Sequence, residues 1–161
     1  MALTQKITTY LWFNGNAEEA VAFYISVFPD SRVTSVTRWG EGGFGPQGSV
    51  LTIIFELAGQ PFIALNGGPQ FTFTPAISLF VSCESQAEVD ELWTKLLAGG
   101  GKPNACGWLD DRYGLSWQVV PSALIELMSD PDAKASGRVA QAMMGMQKID
   151  IASLRRAHQA A

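Results

Sequence analysis

The residue types that could do chemistry are few, and several of them fall between positions 106 and 118. Gln118 stands in the apolar run Leu115–Val120. There, two-residue alternation puts Ser116, Gln118 and Val120 on one face and Trp117 and Val119 on the other. An amide on a strand that should be buried serves either a ligand or a core hydrogen bond to backbone. Cys106, Trp108 and Asp111 lie just upstream. Cys106 has no adjacent histidine to take its proton, so a small buried thiol is a plainer reading than a nucleophile. Asp111 suits two roles, closing the turn 110–114 or touching a ligand. Trp39 and Trp108 offer indole area, either as packing or as walls of an apolar pocket with a few aimed polar groups.

Metal chemistry finds little to work with. The single histidine, His158, sits near the C-terminus on an expected surface helix and reads as a solvated side chain. Glu56 shares a strand face with Thr52 and Ile54, but a lone carboxylate is not a site, because stable sites use three or four protein ligands. The Gly-rich segment 40–48 lacks the Lys-Ser/Thr of a phosphate loop and joins two expected strands rather than a strand and a helix. It reads as a flexible hairpin. No metal and no cofactor are expected.

The elements that must position these residues come in two similar runs. The first opens with a strand, Ile7–Phe13, and a turn at Asn14-Gly15. Asn16 and Glu19 then pattern as a helix cap, followed by an apolar stripe of Ala17, Ala20, Val21, Tyr24, Val27 and Phe28. Pro29-Asp30-Ser31 ends that helix, and strands are expected at 32–39, 49–57 and 62–66. The second run has a strand at 76–82, a capping box of Ser85 and Glu88, and a stripe of Val89, Leu92, Trp93, Leu96 and Leu97. Gly99-Gly100-Gly101 stops the helix, and strands near 105–109 and 115–120 follow. The runs align at an offset of 69, which matches Asn16 with Ser85, Tyr24 with Trp93 and Trp39 with Trp108. Beyond Pro121 the pattern turns helical, at 121–128, 131–145 and 150–159, with Ile149 and Leu154 placed as a hydrophobic staple.

The expected fold is therefore α+β: two tandem β-α-β-β-β units, about 6–66 and 74–120, forming a cupped mixed sheet. A helical tail from 122 to 161 would pack on that domain or across a dimer. Composition bounds the partners. Charged residues make up only 16% against 47% hydrophobic, which suits a chain that buries further surface in a homodimer. A net charge of −4 speaks against nucleic acid, and no apolar run is long enough to span a membrane. With no export signal in Met1–Tyr10, the two cysteines are expected to be free thiols in the cytoplasm.

Several segments carry a family resemblance: Leu11-Trp12-Phe13 with Ala17-Glu18-Glu19-Ala20 and Phe23-Tyr24, then Phe28-Pro29-Asp30-Ser31, and Leu65-Asn66-Gly67-Gly68-Pro69. Cys106-Gly107-Trp108 through Asp111, Gly114, Ser116-Trp117-Gln118 and Pro121 follow, with Trp108–Pro121 the most specific stretch, and Met143-Met144-Gly145-Met146 with Lys148-Ile149-Asp150-Ile151-Ala152 adds to it. The chain resembles the PhnB-like, 3-demethylubiquinone-9 3-methyltransferase-like group of the vicinal-oxygen-chelate (glyoxalase-like) superfamily. The resemblance implies paired units around a cavity, with metal ligands, where present, on the first and last strand of each unit. Those positions here are Thr9 and Ser78, then Ala64 or Leu65, and Gln118, of which only Gln118 could bind a metal. The reading is a metal-independent domain that binds a small molecule. The alternative is an enzyme, a methyltransferase as the family name implies or a glyoxalase-like lyase or isomerase.

Overall fold

The computed structural model describes residues 5–160. In chain order the elements are β1 (Thr9–Phe13), α1 (Ala17–Val27), β2 (Arg32–Arg38), β3 (Val50–Leu57), β4 (Gln60–Asn66), β5 (Ser78–Cys83) and α2 (Gln86–Leu97). Then follow β6 (Lys102–Pro103), β7 (Trp108–Asp110), β8 (Ser116–Pro121), α3 (Ser122–Met128), α4 (Ala133–Met144) and α5 (Ile151–Gln159). They form two compact units that divide between Thr72 and Phe73. The fold is α+β, with one four-stranded mixed sheet in each unit.

In the first unit the strand order is β1-β4-β3-β2. The outer pair β1·β4 is parallel and the other two pairs are antiparallel. A parallel pair cannot be closed by a tight turn, so the chain between β1 and β4 must cross the sheet, and α1 packs on one face as it does so. Alternation then separates the two faces. Leu11, Phe13, Ile53, Phe55, Leu57, Phe62 and Ala64 are buried together with Ala17, Ala20, Val21, Tyr24 and Val27 of α1. Phe55 and Phe62 stack there, with centroids 5.5 Å apart. The far face carries Tyr10, Trp12, Thr52, Ile54 and Glu56.

The cap of α1 differs from the expectation. Asn16 makes no side-chain cap hydrogen bond. Asn66, at the end of β4, caps the helix instead: its Oδ1 accepts from Ala17 N at 2.9 Å and its Nδ2 donates to Val50 O at 3.1 Å. One side chain thus ties helix, last strand and neighbouring strand. In α2 the capping pattern holds locally, with Ser85 Oγ accepting from Glu88 N at 3.2 Å and the Glu88 carboxylate accepting from Glu84 N at 2.7 Å.

The second unit repeats the topology as β5-β8-β7-β6, with β5·β8 parallel. Here the sequence pattern misplaces the middle strands. The expected strand 105–109 is instead β7 at Trp108–Asp110, preceded by the two-residue edge strand β6. Cys106 and Gly107 bend the chain between them, at φ 60° and 82°. Gly107 is required at its place. A Cβ there would lie 2.9 Å from Val119 O and 3.1 Å from Ile149 Cγ1.

The repeat also shifts by one residue within each unit. The helices start at Ala17 and Gln86, 69 positions apart, whereas the preceding strands end at Phe13 and Cys83, 70 apart. The first turn (14–16) is one residue longer than the second (84–85). A one-residue slip exchanges the two faces of a strand. Thr9 is therefore the counterpart of Leu79, on the covered face, while Ser78 corresponds to Thr8. By the same pairing Gln118 corresponds to Ile63, not to Ala64 or Leu65, and Trp108 to Ile54 rather than Trp39.

The tail is part of the second unit. Val120, Leu124, Val139, Ile149 and Leu154 form one buried cluster, with Leu127, Met143 and Met146 against it. Main-chain bonds from Cys106 N to Met146 O (2.8 Å) and from Gly107 N to Gln147 O (2.7 Å) join the tail to the bend before β7. The Gln86 amide bridges Ile149 O and Ile151 N, and Lys148 pairs with Asp90 at 2.6 Å.

Two predictions follow from these ties. Asn66→Ala should cost about 1–2 kcal/mol in urea unfolding, while Asn16→Ala should cost a few tenths at most. A second concerns acid. Asp90 is held below the ordinary carboxyl range by Lys148 and Gln86, Asp130 by the Asp132 backbone and His158, and Asp150 by Ser153. Lowered native values mean that this stabilisation is complete above the unfolded value of about 4 and is lost as pH falls through the native ones. Hydrogen exchange should then show α4 and α5 losing protection below about pH 4, before β8 does.

Candidate functional site

The far face of the second sheet gathers four of the candidates. Its side chains alternate outward along each strand: Ser78, Phe80 and Ser82 on β5, Ser116, Gln118 and Val120 on β8, and Trp108 and Asp110 on β7. Register places Phe80, Gln118 and Trp108 side by side across the three strands. Directly opposed residues on adjacent strands have Cβ atoms roughly 5 Å apart, so Gln118 stands in the row between two aromatic residues. Gln118 Nε2 donates to Ser78 Oγ at 2.8 Å, and Gln118 remains half-buried. One row along, Asp110 accepts from Ser116 Oγ and from Asn104 Nδ2 at 3.1 Å. Phe80 is 52% exposed. Val120, on the same face, is covered by the tail cluster.

The opposite face is packing. Trp117 and Val119 lie against α2, and Trp117 Nε1 donates to Asp111 Oδ2 at 2.9 Å. Asp111 is itself buried, and its Oδ1 accepts from Tyr113 N at 2.8 Å and Leu115 N at 3.1 Å. Of the two roles open to it, Asp111 takes the turn-closing one and also anchors the largest fully buried side chain of the molecule. Cys106 stands half-buried at the bend beside β7, with its backbone engaged by the tail. Cys83 is buried, and desolvation, with Glu88 and Glu84 nearby, pushes its thiol up to about 11, which keeps it protonated at neutral pH.

Three candidates lie in the first unit. Thr9 shares its face with Leu11 and Phe13 and does not line the far face. Glu56 does face outward, but it is paired to Arg32 at 2.7 Å. Trp39 follows β2 in the hairpin, held by Trp39 N to Ser49 O and Gly48 N to Trp39 O, both 2.9 Å. Gly43 and Gly45 pack on its indole so closely that any Cβ would collide with the ring. With Asn14, Glu18, Asn66 and Val50 it lines a cleft of ≈ 290 Å³.

Sequence reasoning missed Phe80, Asp110 and Asn104. Phe80 could have been found, since it alternates with Ser78, whereas Asn104 depends on the bend that the pattern misplaced. Among the described residues no three His, Cys, Asp or Glu side chains converge. At the ligand-like positions the donor set is one amide, Gln118, whose nitrogen is spent on Ser78, with Ile63 as its counterpart. That set does not fit a divalent ion.

Removing the Asp111 carboxylate would take away the acceptor of the Tyr113 N–H, the Leu115 N–H and the Trp117 indole N–H. Asp111→Ala should therefore destabilise the protein by about 2–4 kcal/mol in denaturant titration, and Trp117 fluorescence should move toward the solvent-exposed wavelength.

The chain matches the family described as 3-demethylubiquinone-9 3-methyltransferase over residues 5–120, a span that ends at β8 and leaves out the tail helices. Among solved structures, the PhnB protein from Bacillus cereus is 42% identical, with a TM-score of 0.65 over 72% of this chain and 98% of that one. Protein PA1353 from Pseudomonas aeruginosa is 20% identical, with a TM-score of 0.58 over 71% of this chain and 95% of that one. A glyoxylase/bleomycin resistance protein/dioxygenase domain from Frankia sp. EAN1pec is 15% identical, with a TM-score of 0.47 over 72% of this chain and 90% of that one. No curated protein matches significantly. With more than half its length inside the family match, the chain belongs to the 3-demethylubiquinone-9 3-methyltransferase family.

Proposed function

We propose that this protein is a metal-independent small-molecule-binding domain whose ligand lies on the far face of the second sheet, over Phe80, Gln118 and Trp108. The observation that carries this reading is the row itself. Most of the far face that is not aromatic is tied up in its own hydrogen bonds, while Gln118 sits half-buried in the row between two aromatic residues. An apolar surface with a single directed polar group is the usual composition of a small-molecule site. Ile63 at the equivalent place in the first unit supports the same reading. The fold needs only an apolar residue there, so the amide of Gln118 serves something other than packing.

The methyl transfer in the family's description would need a bound methyl donor. The Gly-rich segment 40–48 joins antiparallel β2 and β3, so it is not the strand-to-helix turn that presents helix N–H groups to a nucleotide-like ligand. The far-face residues offer no alternative cradle, and they do not fit such a donor. A cytoplasmic setting is supported by two free cysteines, and no helix among the described residues is long and apolar enough to cross a membrane. A homodimer is supported by the low charge content and by the edge strand β2, which leaves Val33 and Val36 each 44% exposed.

Metal analysis of the purified protein, with thermal-shift measurements against divalent ions and S-adenosylmethionine, tests this assignment. Substoichiometric metal and no stabilisation by either class are expected. One bound metal per chain would overturn the metal-independent reading, and stabilisation by more than about 5 °C with S-adenosylmethionine would replace it with methyl transfer.

A further inference from the structure

Gln118 has one half of its amide committed. Its Nε2 donates to Ser78 Oγ, and its carbonyl oxygen has no hydrogen-bond partner among the described residues. The parallel register sets Ser78 beside Ser116 and Phe80 beside Gln118, so Ser78 stands one pleat along the same face, where the amide nitrogen reaches it. The amide is therefore presented oxygen outward, as an acceptor. Phe80 and Trp108 flank it across the strands. The nearest charged group along the face is Asp110, and Lys102 stands opposite it on β6, so the two charges offset one another there. Both Asp110 oxygens accept hydrogen bonds, from Asn104 and Ser116.

We infer that the far-face ligand is a flat ring bearing an O–H or N–H donor, with the donor on Gln118 Oε1 and the ring against Phe80 and Trp108. This deepens the proposed function and rests on it. Rings supply the apolar area that Phe80 leaves uncovered, and a flat body can lie across the row over Gln118, with Phe80 and Trp108 on the two neighbouring strands. A donor is required because an acceptor placed against the Gln118 oxygen would leave both groups desolvated and unpaired. Carboxylates are disfavoured for the same reason, since at neutral pH they present only acceptors. Specificity thus comes from one oriented amide, and Ser78 is its positioning residue.

Three probes of nearly equal shape separate these ideas: 4-methylphenol, 4-methylanisole and 4-methylbenzoate. Binding is read by titrating the 15N-labelled full-length protein and following the Trp108 indole and Gln118 side-chain amide signals. The phenol should bind roughly three- to tenfold more tightly than its methyl ether, the worth of one neutral hydrogen bond, and the benzoate least. Gln118→Leu should level the phenol with the ether while leaving the fold intact, since Ile63 fills the equivalent place. Ser78→Ala should lower the preference without abolishing ring binding. Equal binding of all three probes, with Trp108 and Gln118 signals moving, would overturn the donor requirement and leave the site reading standing. If none of the three moves those signals, the site reading fails and the inference falls with it.

Discussion

Each unit of this protein is organised by one constraint, the parallel pairing of its first and last strands. Parallel neighbours cannot be joined by a hairpin, so the connection must travel over the sheet, and the helix that does so covers only one face. The covered faces become dry cores, built from Leu11, Phe13, Phe55 and Phe62 in one unit and from Leu109, Trp117 and Val119 in the other. The far faces are left to do something else. Ser78, Phe80, Ser116 and Gln118 owe their positions to which side of a pleat they fall on, and that side is set by the β5·β8 register.

The two units then spend their far faces differently. In the first, Trp12 donates to Gly68 O at 2.9 Å and meets Phe71 edge-on at 4.9 Å, so the chain leaving β4 folds back over it. Gly67 allows this, since a Cβ there would collide with the Trp12 ring. In the second, Phe80 is half exposed, and the polar groups are drawn into short local bonds around Ser78, Asp110 and Gln118. The tail covers only the end of that face, at Val120. The difference follows from lengths. The first unit has a long hairpin and a Gly-Gly-Pro exit, while the second shortens its first hairpin to a two-residue strand and a bend.

Much of the fold was legible in the sequence because its signals are local. Apolar alternation, the Ser85 capping box, the Gly stop after α2 and the Ile149–Leu154 staple each act within one or two turns of chain, and each sits where the pattern expects it. Asn16 misled because a turn residue before a helix resembles a cap whether or not it caps. The bond that matters comes from Asn66, 49 residues away, and no local pattern carries it. The bend at Cys106-Gly107 was invisible for a related reason. It exists to meet the backbone of residues 146–147, and that contact is tertiary.

For the candidate site, the sequence by itself determined the chemical inventory and the alternation of β8, and so it picked out Gln118, Ser116 and Trp108. It also determined that the helices repeat at a spacing of 69. Tertiary structure decided which partners those residues meet. One extra residue in the turn before α1 shifts the strand repeat to 70, which puts Thr9 on the covered face, and the shortened hairpin of the second unit makes Ile54, not Trp39, the counterpart of Trp108. Side-chain direction in a strand has a period of two, so a single residue of turn length reverses it, and turn length is fixed by how a strand end must reach a helix start. Only the folded sheet, with its register in place, says which residues look outward together.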